Sequence, residues 1–196
     1  MNPLAPLHRL VWTALLAAAV AAGAWIVAPI GPVPVSLQPL FVFLAGYALG
    51  PRRGALCILL YILAGVIGLP VFAGGRSGPA QLLGPTGGYL LGFVLSAWIT
   101  GLATGGHGRA LTWVRGLGFG IPALIAAYVP GVFWLRHVLD TDWTRALALG
   151  LAPFLPWDCL KIVAAVACYR LLSRCRLLPG NGDAAPPGGG SCPRTG

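Results

Sequence analysis

LVWTALLAAAVAAGAWIVAPIGPVPVSLQPLFVFLAGYALGP, residues 10–51, contains no Asp, Glu, Lys or Arg. A helix that crosses a bilayer needs about 20 mostly apolar residues. This stretch is long enough for two, and the cluster PIGPVP at residues 29–34 divides it. Prolines lack the amide that a helix interior requires, so the first helix ends there and a second begins near Ser36. Three more uncharged runs follow, at residues 54–75, 77–106 and 116–135.

Composition agrees with that reading. Of the 196 residues, 57% are hydrophobic and 9% charged, whereas soluble domains carry roughly 25% charged residues. The chain reads as an all-α, polytopic membrane protein. Its polar blocks are too short to form a large extramembrane catalytic domain. The formal charge of +9 comes mostly from arginines set singly or in pairs between apolar blocks. That pattern signals membrane topology and argues against a nucleic-acid partner.

Residues 10–28 read as the first transmembrane helix in preference to a signal peptide, because the run is long for one and the chain behind it is membrane-like. Further spans are expected at residues 36–50, 54–69, 88–104, 110–135 and 156–173, with Pro122 kinking the fifth. Residues 136–145 are expected to form a polar connection, followed by a short apolar segment at 146–155. With six spans, both termini lie on one side. That side collects Arg9, Arg52, Arg53, Arg109, Arg115, Arg170, Arg174 and Arg176, against Arg76, Arg136 and Arg145 on the other. The positive-inside rule then puts both termini in the cytoplasm and the 29–35, 70–87 and 136–145 connections outside. Residues 1–177 form the expected six-helix membrane domain, and residues 178–196, rich in Gly and Pro, a disordered cytoplasmic tail.

Few residues carry chemistry. Five Cys show no CxxC, and three His stand alone, so neither metal nor disulfide framework is expected. There is no HExxH, GxSxG or phosphate-binding loop. No nucleophile, base and orienting group can be assembled, so the chain is not expected to be an enzyme, and no cofactor is expected.

Asp158 and Lys161 stand out. They lie three residues apart, on one face of a helix, and Lys161 is the chain's single lysine. Each charge costs about 2.5–3.5 kcal/mol at the bilayer centre on insertion scales. Two readings remain open. Asp158 caps the helix start while Lys161 snorkels to headgroups, or the pair faces a cavity and holds a small polar ligand.

The second candidate is the glycine-rich connection, with Gly74, Gly75, Gly84, Thr86, Gly87, Gly88 and Tyr89. Glycines let backbone amides approach a ligand, and Tyr89 adds a ring with a hydroxyl. The ordinary reading is a flexible loop. Small residues recur every fourth position at Gly84, Gly88, Gly92, Ser96 and Thr100, and in the first span at Ala14, Ala18 and Ala22. Such stripes let helices pack closely, within the bundle or against another membrane subunit.

Four segments together resemble the BioY family of bacterial biotin transporters, the substrate-binding S components of energy-coupling-factor (ECF) transporters. They are PVPVSLQPLFVFLAGYALGPRRGAL (32–56), YILAGVIGLPVFAGG (61–75), LGPTGGYLLGF (83–93) and PFLPWDCLK (153–161). The resemblance implies six helices in the bacterial inner membrane and capture of biotin from the outer face. It also implies a membrane T component coupled to two ATPase subunits as partners, besides lipid, although some family members act without them. A homo-oligomer is compatible with this. The family's DxxK pair falls on Asp158 and Lys161, its glycine-rich loop on Gly74, Gly75, Gly84, Thr86, Gly87 and Tyr89, and its T-facing surface on the alanine stripe. On this resemblance Asp158 accepts a ureido N–H and Lys161 donates to the ureido oxygen. Amides near Gly74, Gly75, Gly87 and Gly88, with Tyr89, enclose the rings and tail. Arg76 is suggested for the carboxylate only by its charge and outward position. Trp157 departs from the small residue the family usually has there. An S component for another vitamin and a ligand-free structural subunit are the competing readings.

Overall fold

The computed structural model describes residues 5–28, 33–105, 111–175 and 177–178. The chain is a helical bundle. Helix α1 (Ala5–Trp25) leads through a two-residue ribbon, β1 (Val27–Ala28) against β2 (Val35–Ser36), into α2 (Gln38–Leu49). Helix α3 (Pro51–Val66) precedes the glycine-rich loop, which holds one short helix, α4 (Ala80–Leu83). Helices α5 (Gly87–Leu102), α6 (Trp113–Leu139), α7 (Trp143–Gly150) and α8 (Leu155–Arg174) complete the order.

Helix α2 is apolar on all sides, so no face is suited to water. Ten of its twelve residues are buried. It touches α1, α3, α5 and α8 and forms the centre of the bundle. The outer helices keep large apolar residues exposed. On α6, Ile121, Ile125, Val129 and Phe133 recur every fourth residue and are each more than half exposed. Such a stripe is a liability in water and a lipid-facing surface in a bilayer. Among the described residues two helices, Leu7–Trp25 and Trp113–Leu139, are long and apolar enough to cross a membrane. Helices α7 and α8, bent by 44° relative to each other, qualify as a third span if taken together. By length and composition the structure therefore supplies two or three spans where six were expected. The shortfall arises because α2, α3 and α5 are short, at 12, 16 and 16 residues.

The small-residue stripe of α5 packs inside the bundle. Ser96 donates to the Ala123 carbonyl at 2.6 Å. A side chain at Gly92 would sit 2.7 Å from the Ala127 Cα, and one at Gly88 would collide with Pro130 and Trp134. Gly84 lies before α5, where its carbonyl accepts from the Trp134 indole.

One expectation is corrected. Residues 136–145 are mostly helical: α6 runs on to Leu139 and α7 begins at Trp143. Helix α6 stops where Asp140 adopts the left-handed conformation (φ 45°), and the Arg136 guanidinium lies 4.6 Å from the Trp143 ring centre across the break. Pro122 and Pro130 both lie inside α6, which continues through them. Of the expected tail at 178–196, Leu178 is buried against the core and the rest lies outside the described residues, as do Arg109 and Arg176.

Candidate functional site

Helix α8 begins at Leu155 with Pro156 in its first turn, where the missing amide has no intrahelical partner to lose. This start puts Asp158 and Lys161 on the buried face, at 5% and 7% exposure. The Lys161 ammonium donates to Asp158 Oδ1 at 2.5 Å and to the Ser36 carbonyl of β2 at 2.6 Å. Tyr128 of α6 donates to Asp158 Oδ2 at 2.7 Å. Asp158 makes no side-chain cap bond, and Lys161 does not reach outward, so the cap-and-snorkel reading does not hold.

The pair closes one end of a cavity between α2, α5, α6 and α8. Four of the chain's seven phenylalanines line it: Phe43, Phe72, Phe93 and Phe154. Leu90, Leu124 and Ala127 add aliphatic wall. Both glutamines, Gln38 and Gln81, face it, as do Thr86, Tyr89 and Tyr128. Gln81 donates to the Thr86 hydroxyl oxygen at 3.2 Å, and Gln38 donates to the Tyr61 hydroxyl at 2.7 Å.

The remaining bonding capacity of the polar end is countable. An ammonium has three N–H groups and Lys161 uses two, leaving one donor. The Asp158 carboxylate keeps unused lone pairs, and the Tyr128 oxygen can accept as well. The site thus presents one donor beside several acceptors, net neutral, at the end of an aromatic chamber. Such a chamber suits a small apolar body with a compact head carrying one acceptor and more than one N–H.

Asp158, Lys161, Thr86 and Tyr89 all line this cavity; the other sequence candidates do not. Gly74 and Gly75 have φ near 70° and 76° in a tight turn that side chains resist. Their amides donate to the Ala24 and Phe72 carbonyls at 3.1 and 2.9 Å, so both are already engaged. Gly87 is pressed against the Leu82 carbonyl, and Gly88 against α6. Arg76 is exposed; its backbone pairs with Phe72, whose ring forms wall, but its side chain is outside the lining. Tyr89 bonds the Gly150 carbonyl at 2.8 Å and stands edge-on to Tyr128, with ring centres 6.2 Å apart. Trp157 is 57% exposed and away from the cavity, so the bulky indole does not alter it. Ala14, Ala18 and Ala22 are exposed on α1.

Tyr128 and Gln38 were missed from sequence. The available signal was a polar side chain inside an apolar run, which must find a partner when buried.

Known proteins place the chain. The model of the BioY family matches residues 1–177. The biotin transporter BioY of Thermotoga maritima is 40% identical over 166 residues, covering 84% of this chain and 96% of that protein. A probable biotin transporter BioY of Pyrococcus horikoshii is 42% identical over 153 residues, covering 78% and 88%. A crystal structure of the S component for biotin from an ECF-type ABC transporter superposes with a TM-score of 0.81 at 28% identity, covering 89% of this chain and 95% of that one. This chain belongs to the BioY family.

Proposed function

We infer that this chain takes up biotin, binding it between Asp158, Lys161 and the aromatic walls as the S component of an ECF-type transporter. The observation that carries this is the neutralised Asp158–Lys161–Tyr128 cluster at the end of an apolar chamber. Biotin has a ureido group with one C=O and two N–H groups on an apolar bicyclic body. The spare Lys161 N–H meets the ureido oxygen, while Asp158 and the Tyr128 oxygen accept the N–H groups. Thr86 and Tyr89 contribute to the enclosing wall. Gly74, Gly75, Gly87 and Gly88 act by shaping the loop and helix start around the ligand, and Arg76, outside the cavity lining, has no part in holding it. Analogues lacking the ureido group leave buried polar groups unpaired and are rejected.

Among the described residues six helices have 12 residues or more, and the cavity lining draws on residues 33–36, 72–73 and 81–86, from the connections on the side of Arg76, Arg136 and Arg145 in the positive-inside count. That side is poor in arginine, which supports an outward-facing site, six crossings of the bacterial inner membrane and cytoplasmic termini. Residues 1–177 act as the membrane domain and 178–196 as a tail. Exposed Ala14, Ala18 and Ala22 offer the small-residue face for a membrane T component that recruits two ATPase subunits.

The purified protein in mild detergent will carry biotin detectable by mass spectrometry. Biotin at a hundredfold excess over Kd adds about 2.7 kcal/mol, or roughly 5–10 °C in Tm. Stabilisation by another vitamin with none by biotin overturns the assignment. Tyr128→Phe removes one hydrogen bond to a charged group and weakens biotin binding about tenfold. Unchanged affinity would show that Tyr128 does not orient Asp158.

A further inference from the structure

The polar head of the ligand is accounted for at Asp158 and Lys161; its acid tail is not. Among the described residues that line the cavity, Lys161 is the one cation, and it is already matched by Asp158 at 2.5 Å. A carboxylate brought there would lie beside the Asp158 carboxylate, so the tail is directed elsewhere. The part of the chain between β1 and β2 carries no charged residue either. The polar lining that makes no hydrogen bond to Asp158, Lys161 or Tyr128 includes Gln81 on α4 and Thr86 at the head of α5. Gln81 gives one amide N–H to the Thr86 oxygen at 3.2 Å. Its second N–H and the Thr86 O–H have no partner among the described residues, so these two lining side chains keep two spare donors.

We propose that Gln81 and Thr86 receive the oxygen of the ligand's acid tail, and that this chain reads the tail by neutral hydrogen bonds instead of by a cation. This rests on the biotin reading above and assigns the tail subsite within it. A neutral donor pair donates to either an amide or a carboxylate oxygen; the stronger bonds to the carboxylate are offset by the greater cost of desolvating it, so charge on the tail contributes little to affinity. The structure therefore predicts tolerance of tail-neutralised ligands, alongside strict recognition of the ureido head.

The test is equilibrium binding of biotin and of biotinamide, its neutral primary amide, to the full chain in detergent. The parent is expected to bind the two within about fivefold of each other, and Gln81→Leu to weaken both by about tenfold. Gln81→Glu removes the donor and adds a negative charge, so it weakens the acid at least about twentyfold, but the amide less than about threefold because its own NH2 can turn to donate to the Glu carboxylate. A parent that binds the acid more than about fiftyfold tighter than the amide overturns the proposal, because a cation then reads the tail. Equal affinities for parent, Gln81→Leu and Gln81→Glu also overturn it. Failure of the parent to bind either ligand overturns the biotin reading itself, a separate result from failure of the subsite.

Discussion

Lys161→Met will abolish biotin binding and destabilise the protein, and adding Asp158→Asn will restore stability without restoring binding. Removing the ammonium alone leaves the Asp158 carboxylate buried with only Tyr128 as donor. Breaking a buried pair from one side costs about 3–5 kcal/mol, whereas replacing both partners with neutral groups is often close to neutral. Binding behaves differently, because the ureido group needs both the ammonium donor and the carboxylate acceptor. Either single variant and the double variant should lose at least about a hundredfold in affinity. Thermal unfolding and equilibrium biotin binding, measured on all three, separate the two effects. A double variant as unstable as Lys161→Met would show that the uncompensated charge is not the cause. Biotin affinity of the parent's strength in Asp158→Asn would remove the pair from the site.

The second large effect concerns the α5–α6 contact. A Cβ at Gly92 would lie 2.7 Å from both the Ala127 Cα and its carbonyl oxygen, and 2.9 Å from the Ala126 oxygen. These neighbours are backbone atoms, so no side-chain rotation relieves the clash. Gly92→Leu must push the two helices apart, at an expected cost of about 3 kcal/mol. The same separation weakens biotin binding, since Tyr89, Leu90 and Phe93 face the cavity from α5, and Leu124 and Tyr128 face it from α6. Gly118 is the contrasting position: it is exposed on α6, and a side chain there meets nothing within 4 Å. Gly118→Ala is expected to gain about 0.5–1 kcal/mol from reduced backbone entropy in the unfolded chain. Comparable thermal stability of the Gly92→Leu and Gly118→Ala proteins would refute the close-contact account.

Much of the helix order could be read in the chain, because apolar runs and proline or glycine clusters act locally. The start of α8 between Pro153 and Pro156 is one case, and the α2–α3 break at Gly50–Pro51 is another. Residues 136–145 misled because their polarity suggested a connection, whereas Arg136 and Trp143 pair across a much shorter break. The glycine-rich loop was identified as a segment, but the roles of its members were not separable. Gly74 and Gly75 form a turn whose amides bond back into the chain, while Phe72, Ala73, Gln81 and Thr86 reach the cavity.

The linear chain by itself determined that this is a helical membrane protein and that Asp158 and Lys161 require a partner. Both conclusions follow from the cost of exposing or burying particular groups, which depends on residue type and short-range spacing. Only the folded arrangement decided what each polar group meets. Tyr128 lies 30 positions from Asp158 and Ser36 lies 125 from Lys161, so their bonds depend on how helices cross. The same holds for the two small-residue stripes: that of α5 is buried against α6, while Ala14, Ala18 and Ala22 of α1 face outward. Their spacing is alike, and only the neighbours available in three dimensions tell them apart.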